Sequence, residues 1–329
     1  MSAPGETTRP VLACGEVRTC LLPTRDAVSE RDAESLLRLR ADEPVRLSRR
    51  PNPYALSPDV LTGVDCRLPT ANRAKVRAVG TVAARASLTE GRILQATAYF
   101  RAPGAGPDRR QPWGYYLVRP GVLVPVGRLD EQAVAQGFLA EPRQGMQEIV
   151  PDELDAGSVA EGLLARISRH RLLDHDAPIT SPTTSLRWAA LTAPDAERPV
   201  LERFTVAESG LRLVRLRLPD GIPAGAVARL CEDLALHDWL LTTVVHMLDN
   251  SRLGAADGPS AVLALRPAVD HLLHLWMPHA HVDDSLVHLW EELERRPGFT
   301  RQWQSMVQRI RDQLALQAIP LLHEALFPR

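Results

Sequence analysis

The residues best suited to chemistry lie in the run HLLHLWMPHAHVDD, which holds His271, His274, His279 and His281, followed by Asp283 and Asp284. Two histidines one residue apart can turn both imidazoles toward one metal ion where the backbone is extended. His279 and His281, with Asp283 beside them, are therefore the candidate metal ligands. The surroundings favour a different role. His271 and His274 flank Leu272, Leu273 and Trp276 in a segment that needs an apolar face, and the run joins two helical stretches. Such histidines read as helix-end residues, with Asp283 or Asp284 as the N-cap of the next helix. No cofactor is implied.

A second candidate is a surface. Between Arg73 and Arg128 the chain carries ten basic residues against only Glu90 and Asp108, while its overall net charge is −1. Tyr99, Phe100, Trp113, Tyr115 and Tyr116 are interspersed among these cations. Arginines alternating with aromatics on strands suit phosphate neutralisation and base stacking. Arg77, Arg85, Arg92 and Arg101 with Tyr99 and Tyr115 form the candidate anion or nucleic-acid surface. The segment from Asp130 to Glu161 holds eight acids against Arg143 alone. Neutralisation within the fold, or contact with a protein, is the favoured use of the basic segment.

Other signatures are missing. The chain contains no GxxxxGK[ST] loop, GxSxG elbow or HExxH helix, and no GxGxxG turn after a strand. Cys66 follows Asp65 and precedes Arg67 but has no recognisable base, so it reads as a packed thiol, like Cys14, Cys20 and Cys231. His237 and Asp238 are neighbours in one helix, about 100° apart around its axis, and cannot form a dyad. Asp238 falls near a buried stripe and requires a partner such as an arginine from a neighbouring element. Lys75 is the one lysine among 39 basic residues. This bias goes with abundant Ala and Pro, so an arginine is not special by identity alone. With neither a basic, apolar leader nor an eighteen-residue apolar run, the sequence reads as soluble and cytoplasmic, with no membrane contact.

The elements that must position these groups divide into two characters. Val11–Leu22 reads as one or two strands, and a helix is expected from about Asp32 to Arg40. Four prolines between Pro44 and Pro58 make Glu43–Asn72 read as a long loop. Lys75–Ser87 and Arg92–Arg101 form a hairpin around LTEG. WGYYLV and VLVPV read as a second hairpin, turning at Arg119-Pro120-Gly121. Helices are expected at Leu129–Leu139 and Val159–Leu172, and strands at Leu186–Leu191, Val200–Val206 and Leu211–Leu218. After Pro223, a stripe of Val227, Leu230, Leu234, Leu241, Val245 and Leu248 predicts a helix of about seven turns. Further helices are expected at Pro267–Met277, Asp284–Arg295 and Phe299–Phe327, with Trp276, Trp290 and Trp303 in one shared core. The fold class is α+β: a disordered stretch over 1–10, a β-rich region with antiparallel hairpins over 11–220, and a helical bundle or cap over 221–329.

VLACGEVRTCLLPT, GVDCRLPTANRAKVRAVGTVAARASLTEGR, EDLALHDWLLTT and RIRDQLALQ together resemble a family of actinobacterial, Streptomyces-type proteins. The resemblance carries no catalytic residues. It implies genes placed near those of a variant P-loop protein and a methyltransferase-like protein, and hence a component of a multi-protein system with protein partners. HAHVDD is similar to the HxHxDH run of metallo-β-lactamase-type hydrolases, with Asp284 in place of the last histidine. The expected function is that of a non-catalytic interaction or accessory protein. The alternatives are a nucleic-acid binder with a basic aromatic β surface and, behind it, a metal-dependent hydrolase.

Overall fold

The computed structural model describes residues 11–141, 152–193, 195–250 and 258–326. The stretch 1–10, expected to be disordered, lies outside them. Ten strands among the described residues form one mixed sheet in the order β2-β3-β5-β6-β1-β8-β10-β9, and β4 and β7 also pair with β5. They are β1 (Val11–Leu21), β2 (Arg46–Ser48), β3 (Tyr54–Leu56), β4 (Val60–Leu68), β5 (Val76–Thr89), β6 (Ile93–Pro103), β7 (Leu123–Pro125), β8 (Thr184–Thr192), β9 (Val200–Val206) and β10 (Arg212–Leu218). β8 and β10 run parallel, and the other pairs are antiparallel.

Strand alternation sends odd-numbered residues of β1, β5 and β6 to one face and even-numbered ones to the other. The odd face, with Val17, Ala83, Tyr99, Leu186 and Trp188, packs against the helices α5 (Ala224–Asn250), α6 (Gly258–His271), α7 (Val287–Arg295) and α8 (Phe299–Leu326). The even face, with Leu12, Cys14, Ala84, Leu94 and Phe100, packs against α1 (Glu30–Leu37), α3 (Glu131–Phe138) and α4 (Ala156–Ser168). Both faces of β5 and β6 are thus covered, which is why their sequences are apolar almost throughout instead of alternating. Gly15 is required at the centre of β1. A Cβ there would lie 2.7 Å from the Trp188 ring and 2.8 Å from the Ala98 carbonyl oxygen.

The α+β architecture is as expected, with the large sheet in the N-terminal two-thirds and α5–α8 at the C-terminus. The helix expected at Pro267–Met277 instead runs Gly258–His271 and is followed by a single tight turn at Leu273–Leu275, and two further local expectations fail. Glu43–Asn72 is not a loop, because it contains β2, β3 and β4, and its prolines fall between the strands instead of within them. Trp113–Leu117 is a short helix, α2, and not half of a hairpin. Pro112 precedes its first turn, and Tyr116 packs on Val79 and Val124. Only β7 remains of that hairpin, pairing with β5 at Ala78–Gly80. The helical part caps the sheet, and one continuous core joins them. Trp276 stacks on Trp303 at 4.5 Å, and Trp290 stacks on Phe299 at 5.9 Å. α5 lies between sheet and helices and is buried nearly all round, so each polar group on it needs a partner.

Candidate functional site

A cleft of about 600 Å³ opens where the odd face of the sheet emerges beyond the first turn of α5. Its floor is Ala83 and Arg85 of β5 with Tyr99 and Arg101 of β6. Pro223, Ala224 and Gly225 form one wall, Pro120 and Gly121 another, and the segments around Arg40–Arg46 and Leu56–Leu61 a third. Alternation brings Arg85 to this face among small residues, Ala83 and Ser87, which leave room for its long side chain. Glu232 of α5 receives it. Nε donates to Oε1 at 2.7 Å and Nη2 to Oε2 at 2.9 Å, a two-pronged pair 147 residues apart in sequence, and Nη2 also donates to the Gly225 carbonyl at 3.2 Å. Burial opposes the Arg85 charge, but the Glu232 carboxylate outweighs it and holds the guanidinium pKa above its ordinary value. The guanidinium also lies 5.4 Å from the Tyr99 ring centre. The Tyr99 hydroxyl donates to Asp59 at 2.8 Å, and burial pushes its pKa well up.

Subtracting such pairs leaves two arginines against Asp59, which has no ion pair among the described residues. Arg40 is held by Asp42 and Glu43, each at 2.6 Å. The exposed Arg46 and Arg101 side chains have neither hydrogen bond nor ion pair among the described residues. The amino end of the 27-residue α5 adds partial positive charge at the same wall. Arg101 also lines a neighbouring hollow of about 330 Å³ with Tyr115 and Arg119, where the Arg119 guanidinium lies 4.3 Å from the Tyr115 ring centre. Exposed apolar side chains follow on the same side of the sheet: Leu61, Leu117, Val118 and Trp113 are 44%, 58%, 75% and 38% exposed. Anion capture beside apolar contact is the chemistry this arrangement offers.

Arg77, Arg85, Tyr99 and Arg101 of the sequence-based surface lie on the odd face of β5 and β6, but in different surroundings. Arg85, Tyr99, Arg101 and Tyr115 gather around the two hollows, with Arg85 and Tyr99 buried rather than presented. Arg77 pairs with Asp65 at 2.7 Å and lies 3.9 Å from Asp152, whereas Arg92 donates to the Arg25 carbonyl at 3.2 Å. Of the segment's cations, Arg77 and Arg110 pair with Asp65 and Arg85 with Glu232, while the acidic segment after Leu129 reaches Arg77 only through Asp152 at 3.9 Å. Arg46, Asp59 and Glu232 were not singled out from the sequence. The signal that could have found Glu232 is Arg85 itself, a long cation set among small residues on a strand, which needs a carboxylate where it is buried.

The histidine run is taken up structurally. The His279 N–H donates to Asp233 Oδ2 at 2.8 Å, the His281 ring stacks on Tyr54 at 4.1 Å, and Asp283 caps the turn Asp284–Leu286 by accepting from the Ser285 N–H at 3.1 Å. Among the described residues no three His, Cys, Asp or Glu side chains come together as a metal site. His237 Nδ1 lies 2.7 Å from its own-turn Asp233 carbonyl and 3.6 Å from Asp233 Oδ2, with its ring edge-on to Trp276 and Trp290. Burial raises the Asp233 pKa to about 7 and lowers that of His237 to about 4. Asp238 meets Arg212 of β10 at 2.6 Å, the arginine partner its position demanded. Cys66 is half-buried, and burial pushes its thiol up to about 11, away from nucleophilic use at neutral pH.

No family model, curated protein or solved structure matches the chain. Among the described residues no helix is long and apolar enough to cross a membrane.

Proposed function

We propose that this chain is a non-catalytic interaction protein of a cytoplasmic, actinobacterial multi-protein system, and that its cleft receives an acidic segment of a protein partner. The observation that carries this reading is the pair of uncompensated arginines, Arg46 and Arg101, in a concave site bordered by exposed Leu61 and followed by Leu117 and Val118. Arginine beside desolvated apolar surface is the composition of a protein-binding anchor. The pairing of Arg77 with Asp65 and of the buried Arg85 with Glu232 weighs against a continuous nucleic-acid track. The variant P-loop protein that the resemblance implies is the partner to try first.

The test uses the full chain and two fluorescein-labelled probes, hexaglutamate and an oligothymidylate, followed by anisotropy at low and near-physiological salt. Hexaglutamate is expected to bind, and Arg46→Ala with Arg101→Ala to weaken it at least tenfold without lowering the melting temperature. Absence of hexaglutamate binding, or binding indifferent to both substitutions, refutes the reading. Tighter oligothymidylate binding, falling with a log–log salt slope of about −3 to −4, would replace it with the nucleic-acid alternative.

A further inference from the structure

The nine residues of β4 pair with β5 without a bulge, from Val60 opposite Ala84 to Leu68 opposite Val76. In an antiparallel strand the N–H and C=O of one residue point to the same side, and the side alternates along the chain. Arg67 fixes the phase. Its N–H donates to the Asp152 carbonyl at 2.6 Å and its C=O accepts from the Leu154 N–H at 2.8 Å, both away from β5. Asp65, Gly63 and Leu61 therefore direct their backbone groups to the same outer edge. None of these groups has a backbone partner among the described residues.

This edge lacks the usual protections. Natural sheets blunt free edges with lysine, proline, bulges or a covering element. At the far end of this sheet α7 does so for β9, where Glu292 accepts from the Leu201 N–H at 3.1 Å and His288 reaches the Pro199 carbonyl at 2.8 Å. The window Leu61-Thr62-Gly63-Val64-Asp65 contains one charge, Asp65, which is already held by Arg77 and Arg110 at 2.7 Å each. Leu61, Thr62 and Gly63 are exposed. The Trp113 ring lies 3.6 Å from where a Gly63 Cβ would stand, so the window carries an apolar, aromatic side on the face that leads to the cleft.

We propose that residues 61–65 accept an extended segment of a protein partner as an added β-strand. Backbone hydrogen bonds to Leu61, Gly63 and Asp65 supply adhesion, and apolar residues at alternate positions of the incoming segment lie against Leu61 and Trp113. This rests on the reading that a protein partner docks in the adjoining cleft. An acidic end of the same segment then meets Arg46 and Arg101, and the length of the window sets an insert of about five residues.

The test uses the full chain and the labelled peptide Val-Thr-Val-Thr-Val-Glu-Glu, which antiparallel to β4 sets its valine N–H groups against Leu61, Gly63 and Asp65 and its acidic end toward the cleft, together with the same peptide N-methylated at its valines. The decisive variant is Gly63→Pro. Proline deletes an N–H that faces outward and takes no part in the β4–β5 ladder, so pairing with β5 is kept while the outer edge is blocked. The unmethylated peptide is expected to bind the wild-type protein and to slow hydrogen exchange at the Leu61, Gly63 and Asp65 amides. Binding should fall at least tenfold both in Gly63→Pro and on N-methylation, with hexaglutamate affinity unchanged. The methylated peptide decides the matter even if Gly63→Pro misfolds. Failure of the peptide to bind, equal binding by the methylated peptide, or binding without protection of those amides overturns the proposal. A wild-type dimer that Gly63→Pro converts to a monomer also overturns it, by assigning the edge to a second copy. Loss of strand addition with hexaglutamate binding intact leaves the cleft reading standing, whereas loss of hexaglutamate binding alone removes the cleft and not the edge.

Discussion

Asp233 and His237 exchange the site of one proton when the chain folds, and this has a measurable signature. In the unfolded chain their ordinary pKa values are 3.8 and 6.5, so between about pH 4 and 6.5 the proton sits on His237 and Asp233 is ionised. In the folded protein burial inverts the order, to about 7 for Asp233 and about 4 for His237, and over the same range Asp233 is protonated and His237 neutral. Each state holds one proton on the pair, so its combined contribution to stability is nearly flat with pH. Taken singly the two slopes are opposite. The raised Asp233 pKa means that the folded state binds more proton between pH 3.8 and 7, so its contribution to stability falls as pH rises, by about 4 kcal/mol across that window. The depressed His237 pKa means that the folded state binds less proton, so its contribution is lost as pH falls from 6.5 to 4, by about 3 kcal/mol.

Urea denaturation at pH 4, 5, 6 and 7, read through the tryptophans that touch His237, separates the two. Differences from the wild-type protein cancel the titration of all other groups. Asp233→Asn keeps an acceptor for the His279 N–H, and its stability relative to wild type should rise by about 4 kcal/mol from pH 4 to 7. His237→Asn keeps a donor for the Asp233 carbonyl, and its relative stability should fall by about 3 kcal/mol from pH 4 to 6.5. The double variant should return close to the flat wild-type profile. Slopes of the same sign in the two single variants, or no slope in either, would refute the exchange.

Arg85→Met should destabilise the protein by about 3–5 kcal/mol, because it strands Glu232 as a buried unpaired charge, and Arg85→Met with Glu232→Leu should recover most of that loss in thermal melts. Trp303→Ala, which removes a ring 5% exposed and stacked on Trp276, should cost about 3–5 kcal/mol in chemical denaturation; an unchanged midpoint would mean that α8 does not close the core. Gly15→Ala should cost about 1–3 kcal/mol through contact with the Trp188 ring and the Ala98 carbonyl, with Trp188→Phe in the same chain restoring part of it.

The parts of the fold legible in the sequence are those whose signal is local. Pro223 and the stripe from Val227 to Leu248 mark α5, and the LTEG turn, with Gly91 at φ 60°, marks the β5–β6 hairpin. The segment from Glu43 to Asn72 misleads because proline density registers a break every few residues without showing that the intervals are strands. β2 and β3 are three residues each, too short for alternation to register, and they exist because β5 offers β3 an edge and β3 in turn pairs with β2. Trp113–Leu117 misleads for the opposite reason. Its aromatic residues favour a strand intrinsically, and tertiary packing of Tyr116 against β5 and β7 overrides that preference.

The candidate site was harder to read because it is defined by a remainder. Counting charge between Arg73 and Arg128 finds a basic segment, yet whether a given guanidinium is available depends on carboxylates that the count does not locate. Asp65 binds both Arg77 and Arg110, and Glu232 approaches Arg85 only because α5 crosses the odd face of the sheet. Arg46 lies outside the basic segment altogether and reaches the cleft because β2 pairs with β3 beside the start of β4. Arg101 is distinguished from Arg85 by its displacement along the sheet: Arg85 stands opposite Thr97 beneath α5, whereas Arg101 lies four residues beyond Thr97, past Tyr99, where α5 no longer covers the sheet. The same offset that leaves Arg101 without a carboxylate also leaves the Leu61 side chain uncovered, so the free charge and the exposed apolar side chain arise from one cause, the place where α5 begins.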